Sequence, residues 1–272
     1  MDDITVDKEA RAIAFFVKAG GTLSVDDDGN VTSLRLYDHD FAQGELVHFQ
    51  AFPKLQDLDI ASCKFGDEIW DNIRHLHLLE SLNLWDTAIT DDGLANLCLY
   101  PRLKSLDVRG TLIGDSGVLL ISKLQQLEKL NLLATKISNA GVKAISELRN
   151  LTELCLVGTN IGDAGIQYLQ SMTGLEQLFL EATKLTNAGL AAVGKLTNLE
   201  ILSIHNSHID EHGLVHLTKL KKLRTFYLCT EVTQSSVSLL KELSSLEILY
   251  IGDIDDDTRE LLQAELPDCD IY

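Results

Sequence analysis

Leucines and other large aliphatic residues recur along this chain at a constant spacing. One pattern of apolar and polar positions starts at residues 31, 55, 79, 103, 127, 151, 175, 199 and 223, and a tenth start follows at 246, one residue early. Three middle copies read LESLNLWDTAITDDGLANL, LTELCLVGTNIGDAGIQYL and LEQLFLEATKLTNAGLAAV. A repeat of 24 residues is typical of stacked-repeat proteins, in which each repeat packs against its neighbours. The pattern therefore predicts about ten stacked coils.

The coil that starts at Leu127 shows what each repeat predicts. Its first leucines alternate with polar residues, which indicates a short strand with the leucines turned inward. Ser138 and Asn139 are favourable N-cap residues, so a helical segment should follow the strand and its turn. The residues expected inside this coil are Leu127, Leu130, Leu132, Ile137, Val142, Ile145 and Leu148.

Two small residues also recur in register. Glycine occupies the first helical turn at Gly93, Gly117, Gly141, Gly165, Gly189 and Gly213. Because glycine is unfavourable inside a helix, this repetition predicts close backbone approach between neighbouring coils. Threonine follows the strand at Thr87, Thr111, Thr135, Thr159 and Thr183, with Cys63 in the same position. We expect these hydroxyls to bond backbone groups in the turns of their own and adjacent coils.

The motif L-x-x-L-x-L-x-x-T-x-I-x-D-x-G-L resembles the leucine-rich repeat family over about residues 31–266. It is closest to the subclass with Thr or Cys in place of the usual Asn, found in bacterial repeat proteins and in substrate-recognition subunits of ubiquitin ligases. The resemblance implies an α/β solenoid, or horseshoe, with a parallel sheet on the concave side and helices on the convex side. Members of the family share a shape rather than a chemistry, so the resemblance specifies no reaction.

The two ends depart from the repeat in ways typical of caps. Residues 1–30 combine a helical pattern with a strand that turns at Asp28-Gly29 into the first coil. Residues 31–245 carry the repeats, and residues 246–272 form the last coil and a C-terminal cap. We expect both caps to be integral parts of the solenoid, because its first and last coils must hide their apolar faces.

Charge and cysteine content narrow the possible partners. With 41 acidic and 23 basic side chains, the net charge is −18. Such a surface repels phosphates, so we expect no nucleic-acid or membrane partner, and a basic protein partner is favoured if the charge does more than confer solubility. The five cysteines form no Cys-x-x-Cys pair, and no secretory signal precedes the repeats. Free thiols and a cytoplasmic monomer are the expectation.

The histidine-rich segment HNSHIDEHGLVH is the strongest candidate for chemistry. His212 and His216 are spaced i, i+4, which can bind a metal on one helix. However, His205 belongs to the strand side and His208 to the following turn, so the repeat register separates the four. No glutamate lies between His212 and His216, and the chain contains no P-loop, Gly-x-Gly-x-x-Gly or Gly-x-Ser-x-Gly motif. We therefore expect no enzyme activity and no cofactor, with a metal-dependent activity as the least favoured alternative.

Side chains between the inward leucines of each strand should point out of the concave sheet. This column is polar in the first five coils and becomes aromatic later, where neighbouring columns also turn apolar. Exposed apolar clusters usually mark interaction sites. The predicted partner-binding residues are Phe179, Ile201, His205, Tyr227, Ile248 and Tyr250, and a second, more polar candidate comprises Trp85, Asp86, Asp107 and Arg109.

These features favour a non-enzymatic scaffold whose concave face binds a protein or peptide. The alternative is a substrate-recognition or regulatory subunit of a larger enzyme assembly, which would use the same face.

Overall fold

The computed structural model describes residues 3–205, 209–228, 232–252 and 254–272, and of residues 3–7 the backbone alone. The chain divides into two compact units, Met1–Asn131 and Leu132–Tyr272, which are called unit 1 and unit 2 below. Each unit consists of short strands that alternate with helical segments, as the repeat predicts.

Unit 1 begins with a helix and a hairpin, and parallel strands follow. Strand β1 pairs with β2 in antiparallel fashion, and β2 to β6 pair in chain order as parallel neighbours. The elements are α1 (Asp3–Lys18), β1 (Thr22–Val25), β2 (Val31–Arg35), a 3-10 helix (Glu45–Ala51), β3 (Asp57–Asp59), a 3-10 helix (Asp67–Ile69), α2 (Trp70–Ile73), β4 (Ser81–Asn83), a 3-10 helix (Gly93–Leu99), β5 (Ser105–Asp107), α3 (Asp115–Ile121) and β6 (Lys129–Asn131).

Unit 2 continues the alternation. Strands β7 to β12 are parallel neighbours in chain order. The elements are α4 (Asn139–Ile145), β7 (Glu153–Cys155), α5 (Asp163–Leu169), β8 (Gln177–Phe179), α6 (Asn187–Val193), β9 (Ile201–Ser203), α7 (Glu211–Leu214), a 3-10 helix (Val215–Leu217), β10 (Thr225–Tyr227), α8 (Gln234–Leu240), β11 (Ile248–Tyr250), α9 (Asp256–Glu265) and β12 (Asp270–Ile271).

The apolar periodicity becomes the core of each unit. In unit 2, Leu154 pairs in register with Leu178, which pairs with Leu202, and all three are fully buried. In the coil that starts at Leu127, every residue predicted to lie inside is buried. Ser138 is the N-cap of α4, as expected, and its side chain accepts a hydrogen bond from the backbone N–H of Ala140.

Several connecting segments of unit 1 are 3-10 helices rather than α-helices. Two of them, Glu45–Ala51 and Gly93–Leu99, lead directly into a buried aromatic residue followed by proline, Phe52-Pro53 and Tyr100-Pro101. A residue before proline is disfavoured in the α conformation, and Phe52 and Tyr100 both lie outside it. The tighter helix therefore ends where these prolines require it to end.

The recurring glycines make room chiefly for a side chain of the preceding coil. A Cβ at any of five of them would overlap the side-chain oxygen of an Asp or Asn in the preceding coil, and that oxygen accepts a backbone N–H of the glycine's own coil. The expectation of close backbone approach is thus corrected. The pairs are Gly93 with Asp67, Gly117 with Asp91, Gly165 with Asn139, Gly189 with Asp163 and Gly213 with Asn187.

The recurring threonines bond within their own coil. Each of the five hydroxyls donates to the carbonyl oxygen three residues earlier, at 2.5–2.8 Å. The thiol of Cys63 instead donates to the carbonyl of Leu36 in the preceding coil, at 3.4 Å. Cys63 therefore makes the expected bond between coils, whereas the threonines close their own turns.

A third recurring feature is a left-handed backbone conformation in the turn after the strand. The third residue after each of the strands β2 to β8 adopts the left-handed conformation, with φ between 52° and 68°. Only two of these residues are glycine, although glycine adopts this conformation at the lowest cost. They are Asp38, Ser62, Asp86, Gly110, Ala134, Gly158 and Ala182.

The two ends of the chain pack as follows. In unit 1, the ring of Phe16 on α1 lies 4.9 Å from that of Phe49 in the first coil. In unit 2, Asp255 caps α9 by accepting the backbone N–H of Thr258 at 2.8 Å, which lowers the pKa of the Asp255 carboxyl. No helix in the described part of the chain is long and apolar enough to cross a bilayer.

Candidate functional site

The outward residues of β8 to β12 form one continuous sheet face in unit 2. Phe179 pairs in register with Ser203, Ser203 with Tyr227, and Tyr227 with Tyr250. Residues two positions apart in a strand share a face, so Ile201 and Ile248 lie on this side as well. We call the set Phe179, Ile201, Tyr227, Ile248, Tyr250 and Tyr272 the aromatic surface.

Three tyrosines of this surface stack on one another. The ring centroids of Tyr227 and Tyr250 are 4.5 Å apart with planes at 5°, and those of Tyr250 and Tyr272 are 5.1 Å apart at 21°. These distances follow from the spacing of about 4.8 Å between neighbouring strands. Tyr272 at the outer end is 58% exposed, and we call the three residues the tyrosine stack.

The aromatic surface is bordered by a buried polar group. Ser203 is fully buried between its larger neighbours, and its hydroxyl donates to Oε1 of Glu181. The other carboxylate oxygen of Glu181, Oε2, is buried and has no hydrogen-bond partner among the described residues. Nδ1 of His205, two residues after the end of β9, is also buried and has no hydrogen-bond partner among the described residues. This part of the sheet therefore places a carboxylate oxygen without a hydrogen-bond donor among the described residues beside apolar rings.

The structure brings the predicted binding residues of unit 2 onto one face, with two differences from the sequence expectation. Phe179, Tyr227 and Tyr250 are half-buried rather than fully solvent-facing, because neighbouring side chains cover part of each ring. Tyr272 was missed, since it follows Tyr250 by 22 residues and so falls outside the repeat. The sequence indicates Tyr272 only through the apolar residues at the end of the chain, where β12 pairs with β11.

The second predicted group lies in unit 1. The guanidinium carbon of Arg109 lies 4.3 Å from the centroid of the Trp85 ring, and Nε of Arg109 lies 3.3 Å from Oδ2 of Asp107. Asp86 joins through its backbone, whose N–H donates to the Arg109 carbonyl at 3.0 Å. Trp85 is 41% exposed. The cation is thus held between a ring and a carboxylate.

Burial is the largest influence on the pKa of Asp107 in this group. Desolvation raises the pKa of Asp107, while the backbone N–H of Arg109, the Arg109 charge and the amide of Asn131 act in the opposite direction. Nδ2 of Asn131 donates to Oδ2 of Asp107 at 3.1 Å. The carboxylate is therefore already engaged by groups of its own unit.

A neighbouring polar pair in unit 1 was not predicted. The hydroxyl of Tyr37 donates to Oδ2 of Asp59 at 2.8 Å, and this bond raises the pKa of Tyr37. Arg35 lies 3.4 Å from Asp57 on the adjacent strand. The exposed rings of this unit thus have polar partners in the fold itself.

The histidine segment does not assemble into a site within the described residues. His205 is half-buried after β9, His212 lies exposed on α7 and His216 lies exposed on the 3-10 helix that follows, so these two do not share one α-helix. His208 lies outside the described residues. Where the structure is described, it contains no group of three or more His, Cys, Asp or Glu side chains that could hold a metal ion.

Comparisons with known proteins identify the repeats. A family model for the leucine-rich repeat matches residues 53–69, 75–98, 102–122 and 147–169. A search of curated proteins finds no match. Among solved structures, the internalin inlF of Listeria monocytogenes matches with a TM-score of 0.63 and 19% identity over 97% of this chain and 94% of its own. Internalin C2 (inlC2) of the same species matches with a TM-score of 0.57 and 25% identity over 73% and 82% of the two chains.

The matched segments are leucine-rich repeats, and the predicted fold class, an α/β leucine-rich repeat solenoid, is confirmed. Such solenoids generally serve as scaffolds for protein interaction, because stacked repeats create extended binding surfaces.

Proposed function

We propose that this protein is a non-enzymatic scaffold that binds a protein or peptide through the sheet face of unit 2, the face predicted to be concave. The observation that carries the proposal is the tyrosine stack, with rings 4.5 and 5.1 Å apart and Ile201 and Ile248 on the same face. Stacked rings at a sheet surface offer a rigid apolar area, and aromatic residues dominate the energetics of binding sites.

The proposal favours unit 2 over unit 1 because the aromatic residues of unit 1 already have polar partners. Trp85 lies under Arg109, and Tyr37 is bonded to Asp59. In the tyrosine stack, by contrast, the ring contacts are with other tyrosines. The Trp85 group, with Asp86, Asp107 and Arg109, is kept as a second candidate surface.

The test compares two tyrosine truncations within unit 2. Tyr227→Ala removes a ring from the stack, whereas Tyr168→Ala removes a 40% exposed ring from α5 on the helical side. A partner recovered by crosslinking from the source cells would be purified and its affinity measured for both variants. We expect Tyr227→Ala to weaken binding about thirtyfold, which corresponds to about 2 kcal/mol, and Tyr168→Ala to bind as the wild type does.

Folding must be followed in the same variants, since Tyr227 stacks on Tyr250 and its truncation removes an aromatic contact of about 0.5–1.5 kcal/mol. Thermal melts of both variants provide this control. Equal affinities for the two variants would contradict the placement of the site, and the Trp85 group would be tested next.

Further parts of the proposal concern the ends of the chain, its oligomeric state, its location and its partners. We propose that residues 1–30 cap the repeats and that residues 246–272 form the last coil and the C-terminal cap. We also propose that the protein acts as a cytoplasmic monomer with no nucleic-acid, membrane or cofactor partner. The alternative, a substrate-recognition or regulatory subunit, would use the same face and would be recognised by co-purification of an enzyme in constant ratio.

A further inference from the structure

The sheet face of unit 2 is acidic as well as apolar. Three outward columns cross strands β7 to β12, and the described residues of these columns include the carboxylates Glu153, Glu181 and Asp270 but no lysine or arginine. Glu181 directly borders the aromatic surface, because it follows Phe179 by two positions and lies on the same side. Asp270 pairs in register with Ile248. A ligand on this face would meet negative charge beside apolar rings.

The edge of the face at the start of the strands does not offset this charge. Arg224, which precedes β10, is held by Glu247 through two hydrogen bonds of 2.9 Å, from Nε to Oε1 and from Nη2 to Oε2. The equivalent positions before β8 and β9 are Glu176 and Glu200, both exposed. The bidentate pair therefore neutralises the cation, and the carboxylates remain in excess along this edge.

Glu181 supplies the most specific feature. Its Oε1 accepts the Ser203 hydroxyl, and its Oε2 is buried without a hydrogen-bond partner among the described residues. Leaving a buried carboxylate oxygen without a donor is costly, because water no longer solvates it fully. The residue as a whole is only half-buried, so a turn of its side chain would bring Oε2 to the open face, where a donor from a ligand would remove that cost and a cationic donor would do so most strongly.

We propose that the occupant of this face is a peptide segment in which an arginine neighbours an aromatic or large aliphatic residue. The guanidinium donates to Glu181, and the apolar neighbour packs against the tyrosine stack. Arginine suits the position better than lysine, because its planar guanidinium offers several donors and also packs on aromatic rings. This inference rests on the proposed function and specifies the chemistry of the partner for that site.

The test begins with a random peptide library displayed on phage and selected on the full-length chain. The best peptide is synthesised, and its affinity is measured by fluorescence anisotropy for the wild type and for Glu181→Gln, Tyr250→Ala and Glu260→Gln. Glutamine keeps an oxygen acceptor for Ser203, so Glu181→Gln changes the charge with little change in shape. Glu260→Gln makes the same change on the exposed side of α9 and is the matched control.

We expect the selected peptides to be rich in arginine next to aromatic or aliphatic residues. Glu181→Gln should weaken binding about tenfold and Glu260→Gln should leave it unchanged. Replacing the peptide's arginine by glutamine should lower its affinity for the wild type about tenfold. The same replacement should lower its affinity for Glu181→Gln much less, because that variant already lacks the ion pair. The peptide substitution leaves the protein intact, so this arm holds even if a protein variant folds poorly.

The two proposals fail in different ways. Peptides that lose affinity with Tyr250→Ala, but show no arginine preference and no response to Glu181→Gln, would overturn the arginine inference and leave the binding surface standing. Peptides that bind Tyr250→Ala as well as the wild type, or a selection that yields no binding peptide, would overturn the proposed surface together with the inference.

Discussion

The contact between Gly117 and Asp91 allows a direct test of how neighbouring coils are held together. Oδ1 of Asp91 accepts the backbone N–H of Gly114 at 2.8 Å, and a Cβ added at Gly117 would overlap that same oxygen. The next atoms that the Cβ would meet, at 3.1 Å, are Cγ2 of Ile113 and Cδ1 of Leu94, which need to move by only a few tenths of an ångström. Gly117→Ala therefore acts chiefly on the Asp91 hydrogen bond.

Two effects of known size oppose each other in this substitution. Alanine is favoured over glycine within a helix by up to about 1 kcal/mol, and Gly117 lies in the first turn of α3. Displacing the Asp91 carboxylate leaves a partly buried N–H without its acceptor, which costs about 1–3 kcal/mol. We expect Gly117→Ala to destabilise the wild type by up to about 2 kcal/mol, but to stabilise the Asp91→Ala variant, where the obstructing oxygen is absent.

Urea unfolding followed by circular dichroism on the four proteins of this double-mutant cycle measures the coupling, which we expect to be about 1–3 kcal/mol. Ser116→Ala, at the exposed neighbouring position of α3, is the control and should be additive with Asp91→Ala. If Gly117→Ala shifted the free energy of unfolding equally in both backgrounds, within about 0.5 kcal/mol, the glycine would have no role in admitting the carboxylate.

Two further predictions follow from backbone strain and thiol burial. Ala182 has φ 52° where Gly158 occupies the equivalent position of its own coil, so Ala182→Gly should stabilise unit 2 by about 0.5–1 kcal/mol and Gly158→Ala should destabilise it by about 1 kcal/mol in urea unfolding. Burial raises the pKa of Cys63 to about 11, so its thiolate is scarce at mildly alkaline pH. Iodoacetamide should therefore label the exposed Cys98 first, as measured by peptide mass spectrometry, and rapid labelling of Cys63 in the native protein would contradict its burial.

The sequence predicted the regular part of the fold because that part depends on simple periodicity. Leucines at fixed spacing specify which side of each strand is buried, as Leu154, Leu178 and Leu202 show. The N-cap at Ser138 was predictable for a similar reason, since capping is a local property of a residue and the chain next to it. No knowledge of a partner coil is needed for either inference.

The features that the sequence did not reveal depend on contacts between coils. Glycine at position 117 indicates a close approach, but only the structure shows that the approaching atom belongs to the Asp91 side chain. In the same way, the sequence places Tyr227 and Tyr250 in one column, whereas the addition of Tyr272 depends on β12 pairing beside β11 outside the repeat. The signal for where two of the 3-10 helices end was present at Pro53 and Pro101, because proline restricts the residue before it.

Different side chains of each coil maintain the fold and form the outward sheet face. Positions on that face that depart from the repeat are therefore the ones that indicate function. Backbone groups of the turns are satisfied by side chains of the preceding coil, as where Asp163 accepts the N–H of Thr186 at 2.8 Å, and the strands satisfy one another. The outward residues of the sheet therefore add to contacts that already hold the coils together, and each coil can vary them. Where unit 1 fills these positions with polar pairs, unit 2 places half-buried rings beside a carboxylate oxygen that has no donor among the described residues. A stable solenoid has no need of that arrangement, whereas an arginine-bearing apolar segment would satisfy both of its parts.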